Sequence, residues 1–339
     1  MQAIQVGNTP LHHSDSAVGG EFVMRDGAEF YKISNYDQMP PFFISVVSDS
    51  DHWLYISSKG GLSAGRINPE NALFPYYTDD KIHDSGELTG SKTILLVEKS
   101  GNTYLWEPFS ERYAGAYRIS RNLYKNISGN QLIFEEENKD LGLVFSYAWC
   151  NSQQFGFVKK STLTAEAGDA MQVRILDGIQ NLLPYGVGLK MQTERSTLLD
   201  AYKKNELLQP AGRGLFLLSS IPVDKAEPSE SLQATTVWST GIEAKSTLLC
   251  SRQLDAFRQG AVLASERDIR AARGAYFVEG ELNVNGGDRF EWYFAAEVNQ
   301  GPAEVVELEE WIKNDKDLAA ALEADIALGT DKLNKIVAS

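Results

Sequence analysis

From the N-terminal region to about residue 300, the apolar residues fall in short runs of strand length, each closed by Gly, Asn, Asp or Ser. No single motif constrains the chain as much. Runs this short bury their apolar surface only by pairing as many strands in a large sheet system. Phe22-Val23-Met24 passes over Arg25-Asp26-Gly27 into Phe30-Tyr31-Lys32-Ile33, and Asp-Gly between two such runs signals a hairpin. Pro40-Pro41 marks the next boundary. Strands are predicted at Phe42 to Val47 and at His52 to Ile56, the latter closed by Lys59-Gly60-Gly61.

The middle of the chain repeats this pattern. Thr93 to Val97 and Thr103 to Trp106 flank a Ser100-Gly101-Asn102 turn. Gln131 to Phe134 and Leu143 to Trp149 are two more strands, and the acidic stretch Glu135 to Asp140 between them reads as a solvated turn. Phe155 to Val158 and Met171 to Leu176 follow. Asp177 to Pro184 reads as a short helix or turn. Leu198, Leu199, Tyr202, Leu207 and Leu208 lie near helical spacing, so a helical insertion is expected over Thr197 to Leu208. Strand signals return at Gly214 to Leu218, Leu232 to Ser239, Ala261 to Leu263, Ala275 to Val278 and Phe290 to Ala296. The expected fold is mainly β: a large antiparallel sandwich with a short helical insertion.

The last stretch changes character. Val305, Val306, Leu308, Trp311 and Ile312 form a helical stripe. Asn314 is placed to cap the next helix, with Asp317 three residues on. Gly329 is expected to stop that helix, and Thr330 to cap a third carrying Leu333, Ile336 and Val337. The domain reading is a tail over 1–20, a sandwich over 21–302 and linker helices over 303–339.

The balance of 32 Lys and Arg against 46 Asp and Glu leaves a formal charge of −14. With no basic patch, such a chain repels nucleic-acid backbones and anionic lipid. No apolar run has the length of a membrane span, and no signal peptide is visible, so a cytoplasmic location is expected. Cys150 and Cys250 are expected to be reduced, buried thiols, with one disulfide as the alternative. No cofactor is expected, because no phosphate-binding glycine loop is present. Gly186-Val187-Gly188 lacks the following small residues, and Ala211-Gly212-Arg213-Gly214 lacks a Lys-Ser end. There is also no Gly-x-Ser-x-Gly elbow. No histidine pattern has metal-ligand spacing, so no metal is expected.

The densest polar-aromatic segment runs from Asp49 to Asp84. Aromatic faces beside carboxylates, amides and a guanidinium suit a sugar, whose C–H faces pack on rings while its hydroxyls take directed hydrogen bonds. The ligand-facing candidates are Arg66, Tyr76, Tyr77, Asp79 and Asp80, with Trp106 and Glu107 from a second segment. Each has a plainer reading as loop or core structure. A further polar patch, Glu194-Arg195, Asp200, Tyr202 and Lys203, lies on the helical insertion. Of the four histidines, His12-His13 reads as solvated tail and His52 as a hydrogen-bonded structural residue. No catalytic residue is assigned. The alternative is His83 with Asp80 as an acid–base pair.

One ordered series of segments carries a resemblance. Tyr31-Lys32-Ile33 is followed by Pro40-Pro41-Phe42-Phe43, then Ser57-Ser58-Lys59-Gly60-Gly61-Leu62-Ser63-Ala64-Gly65-Arg66, then Leu73-Phe74-Pro75-Tyr76-Tyr77-Thr78-Asp79-Asp80. Tyr104-Leu105-Trp106-Glu107-Pro108 and the Asp177 to Pro184 segment come later. Over about residues 20 to 339 the layout resembles the N-terminal region of bacterial proteins in the cellobiose and chitobiose phosphorylase group of glycoside hydrolases. The resemblance implies a galactose-mutarotase-like β super-sandwich, linker helices and a catalytic (α/α)6 toroid that would follow. In that group the catalytic acid lies on the toroid, so no residue here matches it.

The implied function is a non-catalytic N-terminal domain of a carbohydrate-active enzyme. It would shape a site for an oligosaccharide or small sugar and contact a C-terminal catalytic domain or a second subunit. The alternatives are a stand-alone mutarotase-like epimerase and a structural assembly module without ligand.

Overall fold

The computed structural model describes residues 4–12, 16–219, 233–315 and 317–337. Of the residues singled out above, His13, Leu232 and the side chains of Asp79 and Val337 lie outside that description. The chain is mainly antiparallel β, as its short apolar runs predict. Eleven strands form the largest sheet. From one edge they run Asp268–Arg270, Lys203–Leu208, Arg213–Leu218, Ala234–Thr240, Arg289–Gln300, Gly156–Ala165, Leu143–Ser152, Gln131–Asn138, Ile119–Asn126, Ala28–Ser34 and Gly19–Arg25. A five-stranded sheet is built from Asn102–Trp106, Gly90–Lys99, Met171–Leu182, Gly274–Val284 and Ser246–Leu248. A four-stranded sheet takes Phe43–Val46, His52–Ser57, Leu62–Arg66 and Ala72–Phe74.

The two smaller sheets pack on the inner face of the large one, and strand alternation decides which side chains enter. Leu95 and Val97 join the central core, while Ile94 and Leu96 face the other way, onto the helix Leu254–Arg258. In the large sheet Phe157 points into the core and Val158 points outward. The outer face around Val158 is covered by the helices Pro302–Asn314 and Leu318–Val337. These bring Trp311, Leu322 and Ile326 onto Cys150, Trp238 and Tyr293. Trp311 lies 4.6 Å from the Phe155 ring. The terminal helices therefore brace the sheet. No helix is long and apolar enough to cross a membrane among the described residues.

Several local expectations change. Asp177-Gly178 lies in the middle of the strand Met171–Leu182 and makes no turn. Asp177 is satisfied by partners on other strands, and a Cβ on Gly178 would sit 2.0 Å from the Tyr276 carbonyl oxygen. Only glycine allows that approach. Gly178→Ala is accordingly expected to cost about 2 kcal/mol through overpacking, read as a lower urea midpoint; an unchanged midpoint would contradict the close packing. Glu135 to Asp140 is mostly strand as well, since Gln131–Asn138 continues through the acids. Lys203–Leu208 is a strand whose Lys203, Asn205 and Leu207 alternate inward, so the helical insertion stops short of it. Ala261 to Leu263 pairs with no strand; Arg174 bonds the Ala261 carbonyl and holds the segment as a loop.

The third terminal helix does not exist. Leu318–Val337 runs unbroken through Gly329, where a Cβ would lie 3.1 Å from Asp49 Oδ1. Gly329 serves a close approach to the Asp49 side chain, in the loop between Phe43–Val46 and His52–Ser57, and is not a helix stop. Thr330 donates to the Ile326 carbonyl from within the helix. The cap of this helix is Asp317, whose Oδ1 accepts from the Ala320 amide, in place of Asn314. Both cysteines are free and buried. Burial pushes the Cys150 thiol up to about 12 and the Cys250 thiol up to about 11.

Candidate functional site

A cleft of about 490 Å³ opens on the inner face of the large sheet, where the smaller sheets leave it uncovered. That size suits a small molecule, since such sites span roughly 300–1,000 Å³. Three adjacent strands supply its floor. Phe134 lies directly across from Tyr147, and Arg121 lies across from Glu136. The walls come from turns. Tyr36 and Asp37 follow the strand Ala28–Ser34, and Lys59 and Gly60 join two strands of the four-stranded sheet. His83, Asp84 and Glu87 come from the helix Asp79–Asp84 and the loop after it. Phe109 and Glu111 close the remaining side.

The floor is electrostatically settled. Glu136 is buried and accepts from Trp106 Nε1 at 2.8 Å, the Phe109 amide at 2.7 Å and Arg121 Nε at 2.8 Å. Burial opposes the Arg121 charge, but Glu136 outweighs it and holds the guanidinium pKa above its ordinary value. Desolvation raises the Tyr36 phenol, with partial relief from Arg121, and it also raises Tyr147. Both stay neutral hydroxyls at physiological pH. Phe109 holds a left-handed φ of 63° so that its amide reaches Glu136. Such a backbone costs a non-glycine residue about 1–3 kcal/mol and tends to occur at functional sites. The Phe109 ring meets Tyr147 edge-on at 5.1 Å.

A second carboxylate cluster sits behind the wall. Glu107 is fully buried and pairs with Lys92 and with Arg258 at 2.8 Å. Burial raises its carboxyl, but Arg258 and Lys92 hold it below the ordinary range. Glu87 also pairs with Lys92, and it accepts from Ser110 Oγ at 2.8 Å and the Glu111 amide at 3.0 Å. Burial is again outweighed, so Glu87 stays ionised.

The sequence candidates scatter. His83 reaches the cleft, with Nδ1 2.7 Å from Ser57 Oγ. Trp106 does not form a sugar platform: it is 2% exposed and its ring is core. Glu107 is spent on Lys92 and Arg258. Arg66 is half of a staple between sheets, paired with Glu297 and with Asp51 at 2.6 Å, and it donates to the Gln153 carbonyl at 3.1 Å. Tyr77 bonds Thr89 and Asn181 through its hydroxyl. Tyr76 is exposed but lies outside the cleft, edge-on to Trp53, and its amide donates to Gln192. That bond, with the packing of Tyr202 and Trp53 around one small core, joins the insertion to the Asp49 to Asp84 segment. Asp80 is exposed and accepts from Thr78 Oγ1 at 2.6 Å, which holds it below the ordinary carboxylate range. It does not line the cleft with His83.

Sequence reading missed Arg121, Glu136, Tyr36 and Tyr147. A signal for Glu136 was present. Leu132, Phe134 and Glu136 share one strand phase, so extending the strand puts this carboxylate on the apolar face, where it requires a cation.

No family profile matches this sequence, and no curated protein sequence matches it. Solved structures similar to it include a bacterial glucoamylase complexed with acarbose, at 10% identity and a TM-score of 0.41, covering 88% of this chain and 38% of that one. A human-microbiome chain provisionally named a kojibiose phosphorylase has 9% identity and a TM-score of 0.36, with 71% and 26% covered. The aldose epimerase homologue from C. elegans has 9% identity and a TM-score of 0.39, with 77% and 100% covered. The chain thus spans well under half the length of the first two.

Proposed function

We propose that this chain is a non-catalytic sandwich domain of a carbohydrate-active enzyme of the glycoside hydrolase or phosphorylase kind, and that the inner-face cleft binds a small sugar or one end of an oligosaccharide. One observation carries the reading. The cleft sets the rings of Phe109, Phe134 and Tyr147 beside directed polar groups on Lys59, His83, Asp37 and Glu111. Ring faces take sugar C–H surfaces, and the polar groups take hydroxyls. The buried carboxylates are already committed: Glu136 accepts three donors, and Glu107 holds two cations. Neither is a spare proton carrier. In this reading residues 21–302 form the sugar-facing sandwich, and the helices of 303–339 link it to a catalytic domain or a second subunit.

The test is titration with glucose, galactose, N-acetylglucosamine and cellobiose, followed by amide chemical shifts. At least one sugar is expected to shift resonances of the cleft, and Lys59→Ala is expected to weaken that sugar about tenfold, as loss of a charged hydrogen bond does. Failure of all four to bind would remove the reading. One arrangement favours a second reading, a mutarotase-like epimerase: His83 and the ionised Glu87 line the same cleft. Anomerisation above background, followed by saturation-transfer NMR and lost in His83→Ala, would replace the first reading with the second.

A further inference from the structure

The large sheet runs past Phe43–Val46, the edge strand of the four-stranded sheet, and its inner face forms an open recess there. The recess measures about 340 Å³, within the range of small-molecule sites. Strand pairing lays out its floor. Phe22 lies across from Tyr31, Tyr31 across from Lys125, and Lys125 across from Leu132. Ile33 lies across from Leu123 in the next inward row. Phe42 and Ile44 supply the wall from the smaller sheet. Phe22 and Tyr31 are 65% and 43% exposed, so the outer margin is apolar as well.

Lys125 stands out on this surface. It is the one charged residue that lines the recess. Strand phase sets it on the inner face, two residues from the buried Leu123. A lysine so placed ordinarily carries its ammonium out to water or onto a carboxylate. Lys125 makes no side-chain hydrogen bond or ion pair among the described residues, and burial lowers its pKa with no anion to offset the shift. Its ammonium lies over the hairpin turn, with Nζ 3.9 Å from where a Cβ on Gly129 would sit. The neighbouring Asn126 amide is already engaged with Asn130 and the Gln131 N–H.

We propose that the recess binds a free medium-chain fatty acid, with its carboxylate on the Lys125 ammonium and its alkyl chain over Ile33, Leu123 and Leu132. The floor selects the tail: aliphatic and aromatic side chains reward an alkyl chain and offer the hydroxyls of a sugar few partners. The ammonium selects the head, because one unpaired cation balances one negative charge. A phosphate dianion would bring a second charge that no other residue of the recess answers, in a chain whose net charge is −14. A carboxylate brings one, and its hydrogen bond with an ammonium is of the charged, stronger kind. The recess and the sugar cleft share no lining residue, so the proposal stands apart from the sugar reading.

Titration of the full chain with decanoate, kept below its micellar concentration, tests this, with decanol as the uncharged control of equal tail length. Decanoate is expected to bind and to give intermolecular NOEs from its methylenes to the methyl groups of Ile33, Ile44 and Leu123. Decanol is expected to bind about tenfold more weakly, the loss of one charged hydrogen bond. Lys125→Met is expected to abolish that preference and Lys125→Arg to keep it, with circular dichroism confirming that both variants are folded. Absence of decanoate binding would overturn the proposal. So would equal affinity for decanoate and decanol, a preference that Lys125→Met leaves intact, or NOEs to another surface. A peptide with an apolar C-terminal residue that binds here more tightly than decanoate would assign the recess to a protein partner instead.

Discussion

Replacing Lys159 with methionine is expected to lower stability by about 3–5 kcal/mol, the cost of leaving a buried charge without its partner. The Lys159 side chain has no exposure, and its Nζ lies 2.5 Å from Asp177 Oδ1 and 3.1 Å from the Gly178 carbonyl. Asp177 comes from the five-stranded sheet. It also accepts from Thr93 Oγ1 at 2.6 Å on its own sheet, and from Ser161 Oγ and Trp292 Nε1, both at 2.7 Å, on the large sheet. One carboxylate thus gathers four donors at the centre of the sandwich and ties the two sheets together. Burial lowers the lysine pKa despite the attraction of Asp177, so the pair stands only with both members present. Methionine keeps the length of the stem and removes the cation. The four donors become three, and the carboxylate must bury its charge or take up a proton. Urea unfolding followed by tryptophan fluorescence reads the effect, with Trp292 at the site as reporter. A loss below about 1 kcal/mol, the scale of an exposed pair, would show that the centre of the sandwich does not depend on this contact.

The same network shows where sequence reading reaches its limit. Asp26-Gly27 and Asp177-Gly178 are the same dipeptide, and both look like turns. The first is one, because its flanking runs are neighbours in sequence and the decision is local. The second is a strand interior, because its partners lie 18 and 115 residues away, at Lys159 and Trp292. Gly329 repeats the lesson: its spacing reads as a helix stop, yet its reason is Asp49 on the far side of the chain. The sandwich itself was legible, since alternation and turn chemistry recur in every segment. His83, which comes from the segment densest in aromatics and carboxylates, lines the cleft. The cleft floor was not legible. Arg121 and Glu136 explain each other only when two strands pair, and a charged run reads as solvated until its strand phase is known. Trp106 erred in the opposite direction: its indole N–H found a buried carboxylate, so the ring needed no exposure.

Acid is expected to destabilise the protein from pH 6.5 downward, before carboxylates with ordinary pKa values titrate, and His52 is the cause. Burial lowers the His52 pKa from 6.5 to about 3; Arg66 adds to the shift, while Asp51 and Asp325 oppose it. Its Nδ1 lies 2.8 Å from Ser50 Oγ, and its Nε2 is buried with no partner. The imidazolium would need an acceptor at both nitrogens. Below pH 6.5 the unfolded chain takes up a proton at His52 and the folded chain does not. Stability from this residue is therefore complete above that pH and falls as pH drops, by roughly 1.4 kcal/mol per unit. Between pH 6.5 and 4.5, down to the ordinary glutamate value, the loss from His52 amounts to about 2–3 kcal/mol. Glu297 works the other way: burial holds its carboxyl above the ordinary value, so as pH falls the folded chain takes up that proton before the unfolded chain does and gains stability. The wild-type slope is the difference of the two. His52→Gln separates them, because an amide can bond Ser50 and carries no titrating proton. Urea midpoints measured across this window are expected to fall with pH in the wild type and to hold or rise in His52→Gln. Parallel slopes in the two proteins would assign the acid sensitivity to other groups.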